Sequence, residues 1–113
     1  MKKIEAFIRM SDLAVAQKAL SDAGFPALSV ESIKGYGRQQ GRTDLYRGST
    51  YAVNLLPKAK LEIIVTDDEV DDVVQCLVET LQTGEIGDGK LFISDVIDAI
   101  RIRTGERGEA ALS

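Results

Sequence analysis

Three segments of the chain carry residue types and spacings that bear on chemistry. Gly35-Tyr36-Gly37-Arg38-Gln39-Gln40-Gly41 is glycine-rich and follows a strand-like run, but its glycines lack the spacing of a dinucleotide fingerprint and no helix follows. Gly87-Asp88-Gly89-Lys90 is a second glycine turn bearing a lysine, without the preceding spacing or the following Ser or Thr of a Walker A loop. Arg101 and Arg103 stand two apart, which on a strand aims both guanidinium groups to one side and toward one anion. Each segment alone reads equally well as a tight turn or a solvated face. Together they point to phosphate, because glycine turns let backbone N–H groups approach an oxyanion while lysine and arginine neutralise it. A nucleotide polyphosphate is the natural ligand. No nucleophile–base pair accompanies these donors, so binding is favoured over turnover.

Composition narrows the chemistry further. The 113 residues include no histidine, which excludes imidazole general-base catalysis and the usual zinc sites. The single cysteine, Cys76, falls among Val73, Val74, Leu77 and Val78 at helical spacing and reads as a core filler. A formal net charge of −4 argues against non-specific attraction to nucleic acid or to an acidic membrane surface. With 44% apolar and 28% charged residues the chain is expected to fold as one soluble domain spanning 1–113. No apolar run approaches the roughly 20 residues of a membrane span and none near Met1 resembles a cleaved leader, so a cytoplasmic location is expected. Asp67, Asp68, Glu69, Asp71 and Asp72 could be pictured as metal ligands, but carboxylates crowd a helix's first turn because its dipole favours them there.

The elements that must position these segments come in two similar halves. Lys3 to Arg9 alternates as a strand, Ser11 and Asp12 offer N-cap chemistry before Leu13, Ala16, Leu20 and Ala23, Gly24 stops that helix, and Ser29 to Lys34 reads as strand two. Lys60 to Val65 is again a strand, and Thr66 or Asp67 caps a helix with Val70, Val73, Val74, Leu77, Val78 and Leu81 on one stripe, ended by Gly84. Lys90 to Ser94 forms the next strand, and Ile97 to Arg103 a short final one. Two βαβ halves predict an α+β, ferredoxin-like βαββαβ sandwich with both helices on one sheet face. The other face, carrying Phe7 and Ile64 among charges, is expected to be covered by other subunits. Between the halves, 35–56 shows neither a helical stripe nor clean alternation. Its three arginines, three tyrosines and glycines suit a recognition arm, with a plain extended hairpin as the alternative.

The sequence resembles the PII nitrogen-regulatory signal-transduction family over essentially its whole length. The likeness is carried by Lys2-Lys3-Ile4-Glu5-Ala6, Gly35-Tyr36-Gly37-Arg38-Gln39, Leu45-Tyr46-Arg47-Gly48, Leu56-Pro57-Lys58, Thr83 to Lys90, and Arg101 to Gly108. The resemblance implies a homotrimer with a T-loop at 35–56, a B-loop at 82–90 and a C-terminal loop and tail at 101–113. ATP or ADP would lie between subunits, with Ser29, Gly35, Glu62 and Ile64 around the adenosine. Gly37, Arg38, Gln39, Gly87, Asp88, Gly89 and Lys90 would face the phosphates, and Arg101 and Arg103 would reach across from the neighbour. It also assigns Gln39 to an Mg²⁺ bridging ATP and 2-oxoglutarate, Lys58 to a 2-oxoglutarate carboxylate, and Gln40 and Gly41 to the same ligand. Tyr51 occupies the position many bacterial relatives nucleotidylylate, through a modifying nucleotidyltransferase. Ser49 occupies the place some cyanobacterial relatives phosphorylate.

Two positions and one stretch of the loop depart from the family pattern. Gln40 replaces the usual lysine, and a lost charge-assisted hydrogen bond of roughly 1.5–3 kcal/mol predicts 2-oxoglutarate affinity about tenfold or more weaker. Ser29 replaces threonine and keeps the hydroxyl. The loop centre, Ser49 to Asn54, is less acidic than in many relatives. The implied function is a non-enzymatic sensor whose T-loop posture is shifted by its ligands and read by ammonium channels and nitrogen-assimilation enzymes or their regulators. A membrane is met only through a channel partner, and nucleic acid not directly. The alternatives are a ferredoxin-like nucleotide-binding enzyme such as a small hydrolase, which needs a placed nucleophile, and an RNA-binding sheet, which the acidic balance and 5% aromatic content disfavour.

Overall fold

Alternate residues of two long strands build the core. The computed structural model describes residues 1–35, 43–46, 49–52 and 56–113. In chain order its elements are β1 (Lys2–Arg9), α1 (Leu13–Asp22), β2 (Ser29–Gly35), β3 (Thr43–Tyr46), β4 (Ser49–Ala52), β5 (Leu56–Val65), α2 (Val70–Leu81) and β6 (Lys90–Asp95). On β1 the buried residues are Ile4, Ala6 and Ile8, and on β5 Ala59, Leu61, Ile63 and Val65, the period-two pattern of a sheet covered on one side. Ala16 and Leu20 of α1 and Val73, Leu77 and Leu81 of α2 close over that side in a single cluster. Burying each large aliphatic side chain contributes about 1.5–3 kcal/mol, more than a typical surface ion pair, so this seam carries the stability. Cys76 is half-buried against the same cluster, as a filler would be.

The sheet is antiparallel throughout, in the order β2-β5-β1-β6. With both helices on one face this is the ferredoxin-like α+β sandwich. The opposite face is open in the single chain. It carries Lys3, Glu5, Lys60, Glu62 and Ile64, and the rings of Phe7 and Phe92, edge to face with centroids 5.5 Å apart. Among the described residues no helix is long and apolar enough to cross a membrane.

Several sequence expectations change. The segment Ile97 to Arg103 is not a strand: β6 ends at Asp95, and beyond it only an isolated bridge joins Ile100 to Arg107. The chain turns back on itself there. The N–H groups of Thr104 and Gly105 donate to the Arg101 carbonyl, and the Asp98 carboxylate gathers the Ala99 and Gly108 N–H groups and the Arg107 guanidinium. Those local bonds satisfy the backbone without a ladder, and Ile97 and Ile102 remain 99% exposed. The long interruption is likewise not wholly irregular. β3 and β4 pair antiparallel from Thr43↔Ala52 to Tyr46↔Ser49, two four-residue runs each holding a threonine and a tyrosine, residues that favour strands. Its ends are joined, since Gly35 of β2 pairs with Leu56 of β5, and β5 starts four residues earlier than its alternation from Lys60 predicts. Asp12 makes no cap bond to α1 and instead faces Arg9 at 3.6 Å. The helix expected to run to Gly84 stops at Leu81, Gln82 being already extended.

Candidate functional site

The end of β1, the start of β5 and the turn before β6 meet around an open cleft of about 1000 Å³. It is lined by Arg9, Met10, Ser11, Leu56, Pro57, Lys58 and the 84–87 stretch. The ladder puts Arg9 and Lys58 directly opposite each other, a like-charge pair that is unfavourable by itself. Arg9 is offset by carboxylates: its Nη1 lies 3.1 Å from Asp88 Oδ1 and 3.6 Å from Asp12 Oδ2. Lys58 has no ion-pair partner among the described residues, and burial first, then the Arg9 charge, push its pKa below the usual lysine value, with Asp12 opposing. A half-buried lysine beside a second cation on the wall of an open cleft attracts an anion. Gly35 belongs to this geometry, since a Cβ there would sit 3.3 Å from Lys58 Cγ.

The turn from Thr83 to Lys90 supplies the third wall. Gly84, Gly87 and Gly89 have φ of 84°, 106° and 101°, backbone that side-chain-bearing residues rarely adopt. Gly89 is doubly constrained, because a Cβ there would lie 2.0 Å from the Phe7 carbonyl oxygen as the turn enters β6. Within the turn the Asp88 carboxylate accepts the Thr83 hydroxyl, the Thr83 N–H at 2.8 Å, the Gly84 N–H at 3.0 Å and Arg9 Nη1 at 3.1 Å. The Thr83 bonds first, with Arg9 and Gly84 behind them, hold its carboxyl well below the usual carboxylate range.

Of the residues singled out from sequence, the structure brings Lys58 and Gly87 to this cleft, with Gly35 packed behind Lys58 and paired with Leu56. Asp88, Gly89 and Lys90 continue the same turn but line a separate hollow against α2, and the Asp88 carboxylate is bonded within the turn. Ser29, Glu62 and Ile64 lie elsewhere: Ser29 pairs with Glu62, and Ile64 is six residues beyond Lys58 on β5, about 20 Å at the rise of a strand. Arg101 and Arg103 do not share a strand face. The Arg101 guanidinium is bound to Glu106 at 2.7 Å and to the backbone oxygens of Ala110 and Ser113, while Arg103 is exposed in the 102–104 turn. Gly37, Arg38, Gln39, Gln40 and Gly41 lie outside the described residues. Ser49 and Tyr51 fall on β4, of which only the backbone pairing is described.

Arg9 and Thr83 were missed by reading types and spacing alone. Arg9 becomes visible only through the β1–β5 register that sets it against Lys58. Thr83 could have been found from the five-residue spacing Thr83…Asp88 across a glycine turn, in which a hydroxyl and a carboxylate can share backbone donors.

Comparison with known proteins gives a consistent answer. The family model described as Nitrogen regulatory protein P-II matches residues 1–106. Nitrogen regulatory protein P-II of Pasteurella multocida (strain Pm70) is 52% identical over 112 residues, covering 99% of this chain and 100% of the relative. The protein of that name from Klebsiella oxytoca is 52% identical with the same coverage, and Nitrogen regulatory protein P-II 1 of Escherichia coli (strain K12) is 51% identical, again over 99% and 100%. A match that runs through the cleft-lining turn and both strand ends, at this identity and coverage, means that the chain belongs to the nitrogen regulatory protein P-II family.

Proposed function

We propose that this P-II family member, a regulator in nitrogen signalling rather than an enzyme, senses ATP or ADP together with 2-oxoglutarate and passes the result to partner proteins through 35–56. The observation that carries the reading is the cleft. Arg9 and Lys58 stand side by side on paired strands along one wall of it, Lys58 lacks an internal counter-charge among the described residues, and the 84–87 stretch adds backbone at close quarters. That arrangement fits phosphate or carboxylate.

The separation of the candidate residues gives the reading its quaternary form. Ser29, Glu62 and Ile64 lie along β2 and β5 outside the cleft that holds Gly87, and a homotrimer in which neighbouring copies share each nucleotide would complete the site around them. The open sheet face, with Phe7 and Phe92 on it, supports burial between copies. Gln39 with Mg²⁺, and Gln40 and Gly41 with Lys58, would complete the site from the other side of Gly35.

Because Gly35 and Leu56 are paired at the cleft, ligands bound there bias the loop that leaves from them. ATP with Mg²⁺ and 2-oxoglutarate would favour one posture and ADP another. Ammonium channels, nitrogen-assimilation enzymes or their regulators would read it. Tyr51 would be open to nucleotidylylation, and Ser49 to phosphorylation, each adding negative charge to the loop.

The test is calorimetric titration with ATP, ADP and 2-oxoglutarate, with and without Mg²⁺, alongside mass measurement in solution. Nucleotide uptake by a trimer, with 2-oxoglutarate binding dependent on ATP and Mg²⁺, supports the reading. A monomer with no adenine-nucleotide uptake sinks it, and ATP turnover far above background would favour the hydrolase alternative.

A further inference from the structure

The turn before β6 is organised from within by one carboxylate. Asp88 accepts four hydrogen bonds, from the Thr83 hydroxyl, the Thr83 and Gly84 N–H groups and the Arg9 guanidinium. All four donors belong to this chain, and Asp88 does not line the cleft, whereas its neighbours from Gly84 to Gly87 do. The Glu85 N–H is taken up as well, donating to Thr83 Oγ1 at 3.2 Å. The N–H groups of Ile86 and Gly87 have no partner among the described residues, and both residues line the cleft. The carboxylate thus consumes the inner donors of the turn and leaves the outer ones for a ligand.

We propose that Asp88 is a positioning residue for anion binding: it touches no ligand, but by gathering Thr83, Gly84 and Arg9 it holds the Ile86 and Gly87 amides in place for a polyphosphate. This rests on the nucleotide-binding reading above. The sign of the effect separates it from simpler roles. A carboxylate that is merely close to an anion weakens binding by repulsion, so removing its charge would tighten binding. A carboxylate that organises the cradle does the opposite. Asparagine has the same shape but presents an NH₂ group to one pair of the four donors, so Asp88→Asn loosens the turn even as it removes a negative charge.

The experiment titrates wild type, Asp88→Asn, Thr83→Val and Thr83→Ser with ATP and with inorganic triphosphate, with and without Mg²⁺. It also follows amide hydrogen exchange across 83–90 without ligand. Asp88→Asn and Thr83→Val are expected to bind about tenfold or more weakly, equally with and without Mg²⁺, and to exchange faster across 83–90 alone. Thr83→Ser, which keeps the hydroxyl, is expected to behave as wild type. Binding by Asp88→Asn as tight as wild type or tighter overturns the assignment, as does a loss seen only with Mg²⁺, which would make Asp88 a metal ligand. If Asp88→Asn fails to fold, Thr83→Val decides by the same criteria. If wild type itself takes up neither compound, the nucleotide reading falls and this assignment with it, an outcome distinct from normal wild-type binding with an unaffected variant.

Discussion

Lys60 Nζ lies 2.9 Å from Glu5 Oε2, reaching diagonally from β5 to β1 on the sheet face turned away from the helices. The two side chains are only 23% and 21% exposed, in a row that also holds Lys3. The hydrogen bond from Lys60 holds the Glu5 carboxyl below its ordinary 4.5, and Glu5 in turn raises Lys60 above its ordinary 10.5. Glu5 therefore contributes stability that is present above the unfolded value and lost as pH falls through the folded one. Lys60 contributes stability present below 10.5 and lost as pH rises through its own raised value. Glu5→Gln is expected to melt below wild type at about pH 7, and the gap is expected to close as the pH falls well below 4.5. Thermal melts across that range check it, and a gap of constant size would remove Glu5 from the linkage.

Two glycines of one turn make opposite demands. At Gly84 a Cβ meets nothing within 4 Å, so Gly84→Ala bears only the left-handed backbone, about 1–2 kcal/mol. At Gly89 the same φ sign is joined by a 2.0 Å approach to the Phe7 carbonyl oxygen, backbone that cannot swing aside. Gly89→Ala is expected to cost more than Gly84→Ala by about 1–3 kcal/mol, as the β1–β6 ladder start is displaced. Urea denaturation of the two variants measures the difference, and equal losses would contradict the close approach.

The difference between what the sequence disclosed and what it withheld follows from the range of the interactions. Strands and helices whose burial pattern is local, such as Ile4-Ala6-Ile8 or Val73-Leu77-Leu81, are legible because their period is written in consecutive residues. The tail misread as a strand has apolar residues at Ile97, Ile100 and Ile102, but a strand also needs a partner, and Asp98 and Arg101 offer the backbone local alternatives instead. The cleft was half legible. Gly87 announces itself by type and Lys58 only through the family resemblance, whereas Arg9 matters because a ladder register places it opposite Lys58. The inward role of Asp88 depends on side-chain direction, which a glycine-turn motif does not specify.

Entry into α2 is set by Thr66 and Glu69. Glu69 Oε1 accepts the Thr66 N–H at 3.0 Å and the Thr66 hydroxyl at 2.9 Å, closing the 3₁₀ turn Asp67–Glu69 that leads into the helix. The sequence left Thr66 and Asp67 as alternatives, and the structure selects Thr66. Thr66→Ala is expected to destabilise by about 0.5–2 kcal/mol, while Thr66→Ser retains the bond and most of the stability. Denaturant titration of both variants is sufficient, and a serine variant as weak as the alanine one would place the effect in the methyl group's packing instead.

Lys58 links stability to binding with a sign that can be tested. Its pKa lies below the ordinary 10.5 because folding buries the ammonium and sets it against Arg9, so the charged form is less favourable in the folded chain than in the unfolded one. At neutral pH that charge lowers stability, and the penalty is relieved as pH rises through the folded value toward 10.5. Replacing the ammonium with an apolar end of similar length keeps the packed stem and removes the repulsion. Without ligand, Lys58→Met is therefore expected to melt at or above the wild-type temperature at about pH 7, with the advantage shrinking at pH values above about 10.5. An anion in the cleft reverses the order. 2-Oxoglutarate with ATP and Mg²⁺ is expected to raise the wild-type melting temperature and to leave the variant unshifted by the 2-oxoglutarate. A Lys58→Met protein that melts well below wild type without ligand, or that still responds to 2-oxoglutarate, would mean that Lys58 serves the fold rather than the ligand.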